Sequence, residues 1–326
     1  MKKVLIAILL LGLLPRASAD YIHWVGFRLR APVLRSALEL DMASQGGEQP
    51  LDWIDILALA AAWRGGTGVT VADTQRAAQV LRGDTPPERL PGMAGRCFSY
   101  YRAAYGAALG GLAGHFAIRR TDPQTGEAEW IPAYGLKAFS PIAAGYPWSH
   151  YPDFGAQRSY GYARPHLGND ILGALGTPIC AVEGGTVEAL GWNRYGGWRI
   201  GIRSDDRKRY YYYAHLRKDT PYAEGLAVGQ RVQAGDVIGF MGRTGYSAQE
   251  NVNNIETVHL HFGLQLIFDE SQKECDSEIW IDVYPIIELL ASHCSSVARD
   301  PQTGRWERLY PYCDLDAEPL RSAAAR

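Results

Sequence analysis

Cysteine is scarce in this chain of 326 residues: there are five, and no two stand in a Cys-x-x-Cys pair. Thiolate zinc sites and thioredoxin-type redox chemistry are therefore disfavoured. Neither sign of charge dominates, with 33 Lys and Arg against 35 Asp and Glu, and no long acidic or basic run occurs. A nucleic-acid partner, which needs a basic face, is not expected. Long apolar stretches are missing too, because the one unbroken run, residues 4–14, is too short to span a bilayer comfortably.

That short run has the flanks of a targeting segment. Lys2 and Lys3 precede it, and Pro15-Arg16-Ala17-Ser18-Ala19 follows with small residues two apart, the pattern of a secretory signal cleaved before Asp20. Retention as an amino-terminal anchor is the alternative, and either outcome exports the rest of the chain to the cell envelope, periplasmic or extracellular. Cleavage leaves 30 basic against 35 acidic side chains, a charge near −5, and no membrane span in the mature chain. Cys180, inside the apolar strand pattern of 179–182, reads as a small core residue. Cys97, Cys275, Cys294 and Cys313 allow three pairings.

The periodicity divides the chain and predicts an α+β protein. After the signal (1–19), residues 20–116 read as a helical accessory domain, with helices expected around 34–42, at 53–63, at 71–81 behind the caps Thr70 and Asp73, and at 98–116. Trp24, Trp53 and Trp63 are expected to pack in its core, and His23 and His115 to be structural or exposed. Residues 117–147 read as a hairpin and connector turning at Asp122-Pro123-Gln124-Thr125-Gly126, a pentapeptide that recurs at 300–304 as a shared turn solution. From 148 to 290 the period switches to two, with short strands between glycine turns, which argues a small antiparallel β-sandwich or barrel-like domain. A polar tail, 291–326, closes the chain.

Candidate chemistry concentrates in the β region. In Val258-His259-Leu260-His261-Phe262, an extended strand puts His259 and His261 on one face and Leu260 and Phe262 on the other. Two imidazoles on one patch need only one or two further donors to hold a metal. Upstream lie His166 and Asp170 across Leu167-Gly168-Asn169, and His215 in Tyr213-Ala214-His215-Leu216. A His2Asp set leaves the fourth position of tetrahedral zinc open, as in a catalytic site. A spare histidine can then take a proton from the attacking water, and another can face the oxyanion. A non-haem iron oxygenase also uses two histidines and a carboxylate, but no cosubstrate site is apparent.

The order His166-Leu167-Gly168-Asn169-Asp170, Gly176-Thr177-Pro178-Ile179-Cys180-Ala181-Val182-Glu183-Gly184-Gly185-Thr186-Val187, Tyr213-Ala214-His215-Leu216, residues 228–239 and His259-Leu260-His261-Phe262 resembles the lysostaphin/LytM family of zinc endopeptidases. The likeness spans about 151–284. It implies a small antiparallel β-sandwich crossed by a groove, and cleavage of peptide bonds in peptidoglycan stems or cross-bridges. It further implies His166, Asp170 and His261 as ligands of one Zn2+, His259 as general base and His215 as partner of the polarised carbonyl. Tyr160, six residues before His166, is a candidate for lining the groove or assisting the oxyanion. The family commonly reaches His-x-His within a few residues of its Thr-Gly turn, whereas here 246–258 intervene, which bears on groove shape. A catalytically silent relative that binds wall peptide or a partner protein in the same groove is the alternative, and the filling of all five positions favours the enzyme.

Overall fold

The computed structural model describes residue 22 and residues 25–122, 124–273 and 277–317. The signal expected at 1–19, and with it His23, Trp24, Pro123 and Cys275, lies outside the described residues. Helix α1 (Ala31–Ser44) carries Pro32 in its first turn, where a missing N–H leaves no bond unmade, and buries Leu34, Ala37, Leu38 and Asp41 along one stripe. Helix α2 (Trp53–Arg64) is opened by Asp52, whose carboxylate accepts from Ile54 N at 2.7 Å, and is closed by Gly65 at φ 64°. Residues 56–62 of α2 are fully buried, so α2 is the central helix. Helix α3 (Val71–Leu81) has the capping box expected of Thr70 and Asp73.

Helix α4 (Met93–Leu109) packs along α2 and corrects the expected helix at 98–116: it stops at Leu109, and Ala113–Thr121 is a strand. The stop has two causes. A Cβ on Gly111 would overlap the Glu183 carboxylate, so the chain leaves the helix where only glycine fits. The last carbonyls of α4 are claimed from outside, Ala107 O accepting from the buried Arg209 Nη1 at 2.7 Å. Trp53 is buried and Trp63 half-buried beneath Arg76, consistent with packing roles, and His115 is exposed beside Asp316.

Strand Ala113–Thr121 pairs with Ala128–Leu136 and, on its other edge, with Tyr312–Asp314, which lies in the stretch read as a polar tail together with the hairpin of Val297–Arg299 and Trp306–Arg308. The aspartates that open the two copies of the pentapeptide make matching hydrogen bonds. Asp122 Oδ1 accepts from the backbone of Gln124 and Thr125 at 2.7 and 3.1 Å, and Asp300 Oδ1 from Gln302 and Thr303 at 2.7 and 3.2 Å.

Two of the metal-ligand candidates, Asp170 and His261, sit on an eight-stranded antiparallel sheet. Its order is Arg231–Val232, Gly185–Asn193, Gly197–Ser204, Arg209–Ala214, His259–Leu266, Asn169–Gly173 and Trp148–His150, with Ile279–Trp280 joined to the far end of the histidine strand. Among the described residues no sheet closes on itself, so the barrel-like alternative is set aside. A ladder of Pro178–Cys180 with Val237–Phe240 adds Ile179 and Ile238 to the core shared with Ile200, Ile202, Tyr213, Leu260 and Phe262. Cys180 is a buried core residue as expected, and among the described residues Cys97, Cys180, Cys294 and Cys313 are free. Among the described residues no helix is long and apolar enough to cross a membrane.

Candidate metal centre

Strand register brings the first two donors together. His261 lies directly opposite Asp170 in the antiparallel pair of His259–Leu266 and Asn169–Gly173, so both side chains leave the same face as near neighbours. His166 precedes that second strand and turns its Nε2 onto the pair. His166 Nε2 is 2.8 Å from His261 Nδ1 and 3.0 Å from Asp170 Oδ1, and His261 Nδ1 is 3.2 Å from the same oxygen. Zinc bonds of about 2.0–2.1 Å place tetrahedral ligand atoms about 3.3 Å apart, so these three atoms outline one face of such a tetrahedron with little adjustment. His166, Asp170 and His261 form the three-donor group among the described residues able to hold an ion.

Gly168 has a more specific task than permitting a bend. A Cβ there would lie 2.6 Å from His261 Cε1 and 2.7 Å from its Nε2, so any larger residue would push the imidazole off the site.

Neighbours that the sequence reading did not single out hold the donors in place. Asp153 Oδ2 accepts from His166 Nδ1 at 3.2 Å, which leaves Nε2 free for a metal. Asp153 Oδ1 accepts from Asn169 Nδ2 at 2.9 Å. Arg158 Nη2 donates to Asp170 Oδ2 at 2.9 Å and to Asp153 Oδ2 at 3.1 Å, directing Asp170 to offer Oδ1 alone. Neither residue carries a spacing signal, because both reach the site through a separate two-stranded hairpin and the loop before it.

His259 and His215 stand beside the donors without joining them. His259 Nε2 is 3.7 Å from Asp170 Oδ1, and the His215 ring lies 4.7 Å from that of His259. Each gives its Nδ1 proton to a backbone carbonyl at 2.9 Å, Thr257 O for His259 and Thr244 O for His215. A carbonyl can only accept, so Nδ1 is the donor in both rings and Nε2 faces the cleft. His215 and Tyr246 adopt left-handed backbone, at φ 62° and 48°, unusual for non-glycine residues and met most often at functional sites.

Electrostatics separate the histidines. Burial alone would lower His166, but hydrogen bonds to Asp153 and Asp170 outweigh it and raise its pKa to about 9. Burial lowers His261 despite Asp170 beside it, and burial together with His259 and His261 holds His215 well below the usual range. Asp170 would be raised by burial, yet hydrogen bonds from His166 and His261 keep it far below the ordinary carboxylate range.

These groups line a cleft of about 160 Å³ whose wall includes Tyr195, Tyr212 and Tyr246. Tyr160 stands behind that wall, stacked on Tyr246 with ring centroids 4.5 Å apart and edge-on to Tyr195 at 6.1 Å.

The match with known proteins falls on this part of the chain. Residues 164–274, which carry all five of these histidine and aspartate positions, match the model of peptidase family M23. Over these residues the chain is similar to that family. The L-Ala--D-Glu endopeptidase of Bacillus subtilis is 40% identical over 130 residues, 40% of this chain and 38% of that protein. Lysostaphin of Staphylococcus simulans is 37% identical over 98 residues, 30% of this chain and 17% of lysostaphin. The solved catalytic domain of Staphylococcus simulans lysostaphin is 28% identical, with 44% of this chain and 92% of that domain covered at a TM-score of 0.33. The chain thus spans less than two fifths of the length of these curated relatives.

Proposed function

We propose that this chain is an exported zinc metalloendopeptidase that hydrolyses peptide bonds in peptidoglycan stems or cross-bridges. The carrying observation is the convergence of His166 Nε2, Asp170 Oδ1 and His261 Nδ1 within 3.2 Å of one another, with two further imidazoles at their side. The M23 match and the endopeptidase names of the relatives support the reaction class. Export is supported by the pattern of Lys2, Lys3, the apolar run and Ala17-Ser18-Ala19. Residues 148–290 would be the peptidase domain, a small sandwich-like layer with the cleft as its groove, and 20–116 a helical accessory domain joined through 117–147.

Zinc bound by these three residues supplies Lewis acidity toward water and the scissile carbonyl. His259 Nε2 accepts a proton from the water as its oxygen bonds to the carbonyl carbon, and the resulting imidazolium passes that proton to the amine as the C–N bond breaks. Thr257 O steadies this ring through Nδ1 in both states. His215, kept neutral by burial and oriented by its Nδ1 bond to Thr244 O, faces the same space beside His259 as the proposed partner of the polarised carbonyl. Tyr160 acts on the groove through Tyr246 and Tyr195.

The test is digestion of purified cell walls by the mature protein, with new amino termini identified. Release that stops with a chelator and returns with zinc is the expected result. Chelator-insensitive release, or wall binding with no release on any peptidoglycan, would leave a binding module in place of the enzyme.

A further inference from the structure

The hairpin that covers the metal cleft contains an electrostatic conflict. Gln157–Arg158 pairs with Arg164–Pro165 so that Arg158 and Arg164 are directly opposed. Like charges in that position destabilise a strand pair. Arg158 is compensated by Asp153 and Asp170, at 3.1 and 2.9 Å. Arg164 has no carboxylate within ion-pair distance among the described residues; its described hydrogen bond runs from Nη1 to Tyr160 O at 2.6 Å. Its guanidinium carbon instead faces the rings of Tyr195, Tyr162 and Tyr246, at 4.7, 5.5 and 5.9 Å from their centroids. The carboxylate lining the cleft, Asp170, is already engaged by Arg158, His166 and His261. Arg164 lines the same cleft and stands two residues before His166, about 7 Å along an extended chain from a metal ligand.

We propose that Arg164, framed by Tyr162, Tyr195 and Tyr246 at the mouth of the metal cleft, binds a free carboxylate of the substrate peptide, making acidic wall peptides and not their amidated forms the substrate class. The proposal rests on the peptidase reading above. A guanidinium with aromatic rings against it keeps donors for a planar, two-point grip on a carboxylate, and the ligand charge relieves the opposition with Arg158. A carboxamide offers neither the charge nor two acceptors. Were Arg164 only a prop for the tyrosines, its replacement would slow acid and amide substrates alike.

The experiment uses the full-length chain and synthetic stem and cross-bridge peptides in matched pairs, one carboxyl left free or converted to the amide. The expected wild-type preference in kcat/KM for the free acid is about tenfold to a hundredfold, the range for a charge-assisted hydrogen bond. Arg164→Gln brings the ratio close to one, and Arg164→Lys, which keeps charge without the planar fork, retains part of it. The same pairs are titrated against the chelator-treated protein, where binding is read without turnover. Equal handling of acid and amide by the wild type, or a preference that survives Arg164→Gln, overturns the proposal. Acid-selective binding that Arg164→Gln abolishes, in a protein that cleaves nothing, keeps the carboxylate site and removes the peptidase reading. Should Arg164→Gln fail to fold, the Arg164→Lys ratio against wild type decides.

Discussion

In the helical region, the buried Asp41 accepts from Gln45 Nε2 at 2.7 Å and from Trp53 N and Tyr134 Oη at 3.0 Å each, so its carboxylate is saturated by its own surroundings. In the metal cleft, His166 and His261 turn ring nitrogens toward each other at 2.8 Å, and His215 and His259 stand beside them. Both regions bury ionisable groups, but one surrounds a single carboxylate with donors fixed by the fold, and the other gathers three metal-donor atoms within 3.2 Å of one another on the wall of a cleft. A carboxylate enclosed by fixed donors serves architecture, whereas donor atoms gathered at ligand spacing on a cleft wall can close on an ion.

The contrast is tested most severely at the ligands. His261→Ala is expected to remove stoichiometric metal from the purified chain and abolish chelator-sensitive wall cleavage, measured by elemental analysis beside turnover; full metal retention would show that the gathered donor atoms are not what holds the ion. Next comes His259→Ala, expected to keep the metal bound by the three donors while turnover falls by about a hundredfold to ten-thousandfold, the usual loss for a general base. Equal cleavage by this variant would return His259 to an architectural role. Arg158→Met frees Asp170 Oδ2 and is expected to weaken metal affinity by about tenfold to a hundredfold in a competitive chelator titration, with the melting temperature of the metal-free protein as a check on folding. Unchanged affinity would confine Arg158 to holding the hairpin. In the self-satisfied region, Thr70→Ala removes one half of a capping box and is expected to cost about 1 kcal/mol in denaturant unfolding while leaving metal content untouched.

What the sequence discloses follows the range of the interactions. Thr70 and Asp73 cap α3 three residues apart, and His259 and His261 share a face because strands alternate, so both are readable within a few positions. The opposition of Asp170 and His261 needs strand register, which only a family likeness supplied in advance. Asp153 and Arg158 were invisible because they act across a hairpin whose register no local pattern fixes. The helix expected at 98–116 overran because apolar spacing continues through Phe116 while the reasons for stopping, Glu183 and Arg209, come from far along the chain. Tyr312–Asp314 likewise shows its strand character only against a partner contributed by the first hairpin.

The grip of Arg209 on α4 bears on how the molecule comes apart. Its guanidinium is fully enclosed, holding Glu183 at 2.7 and 2.9 Å on one side and the carbonyl of Ala107 at 2.7 Å on the other. Opening that joint takes the Ala107 carbonyl from Arg209 while Glu183 stays paired with it, a loss of about 1.5–3 kcal/mol for a hydrogen bond to a charged group. Melting of the helices and melting of the sheet are thereby made cooperative, and a protease that nicks the connecting segment should find both pieces still held together.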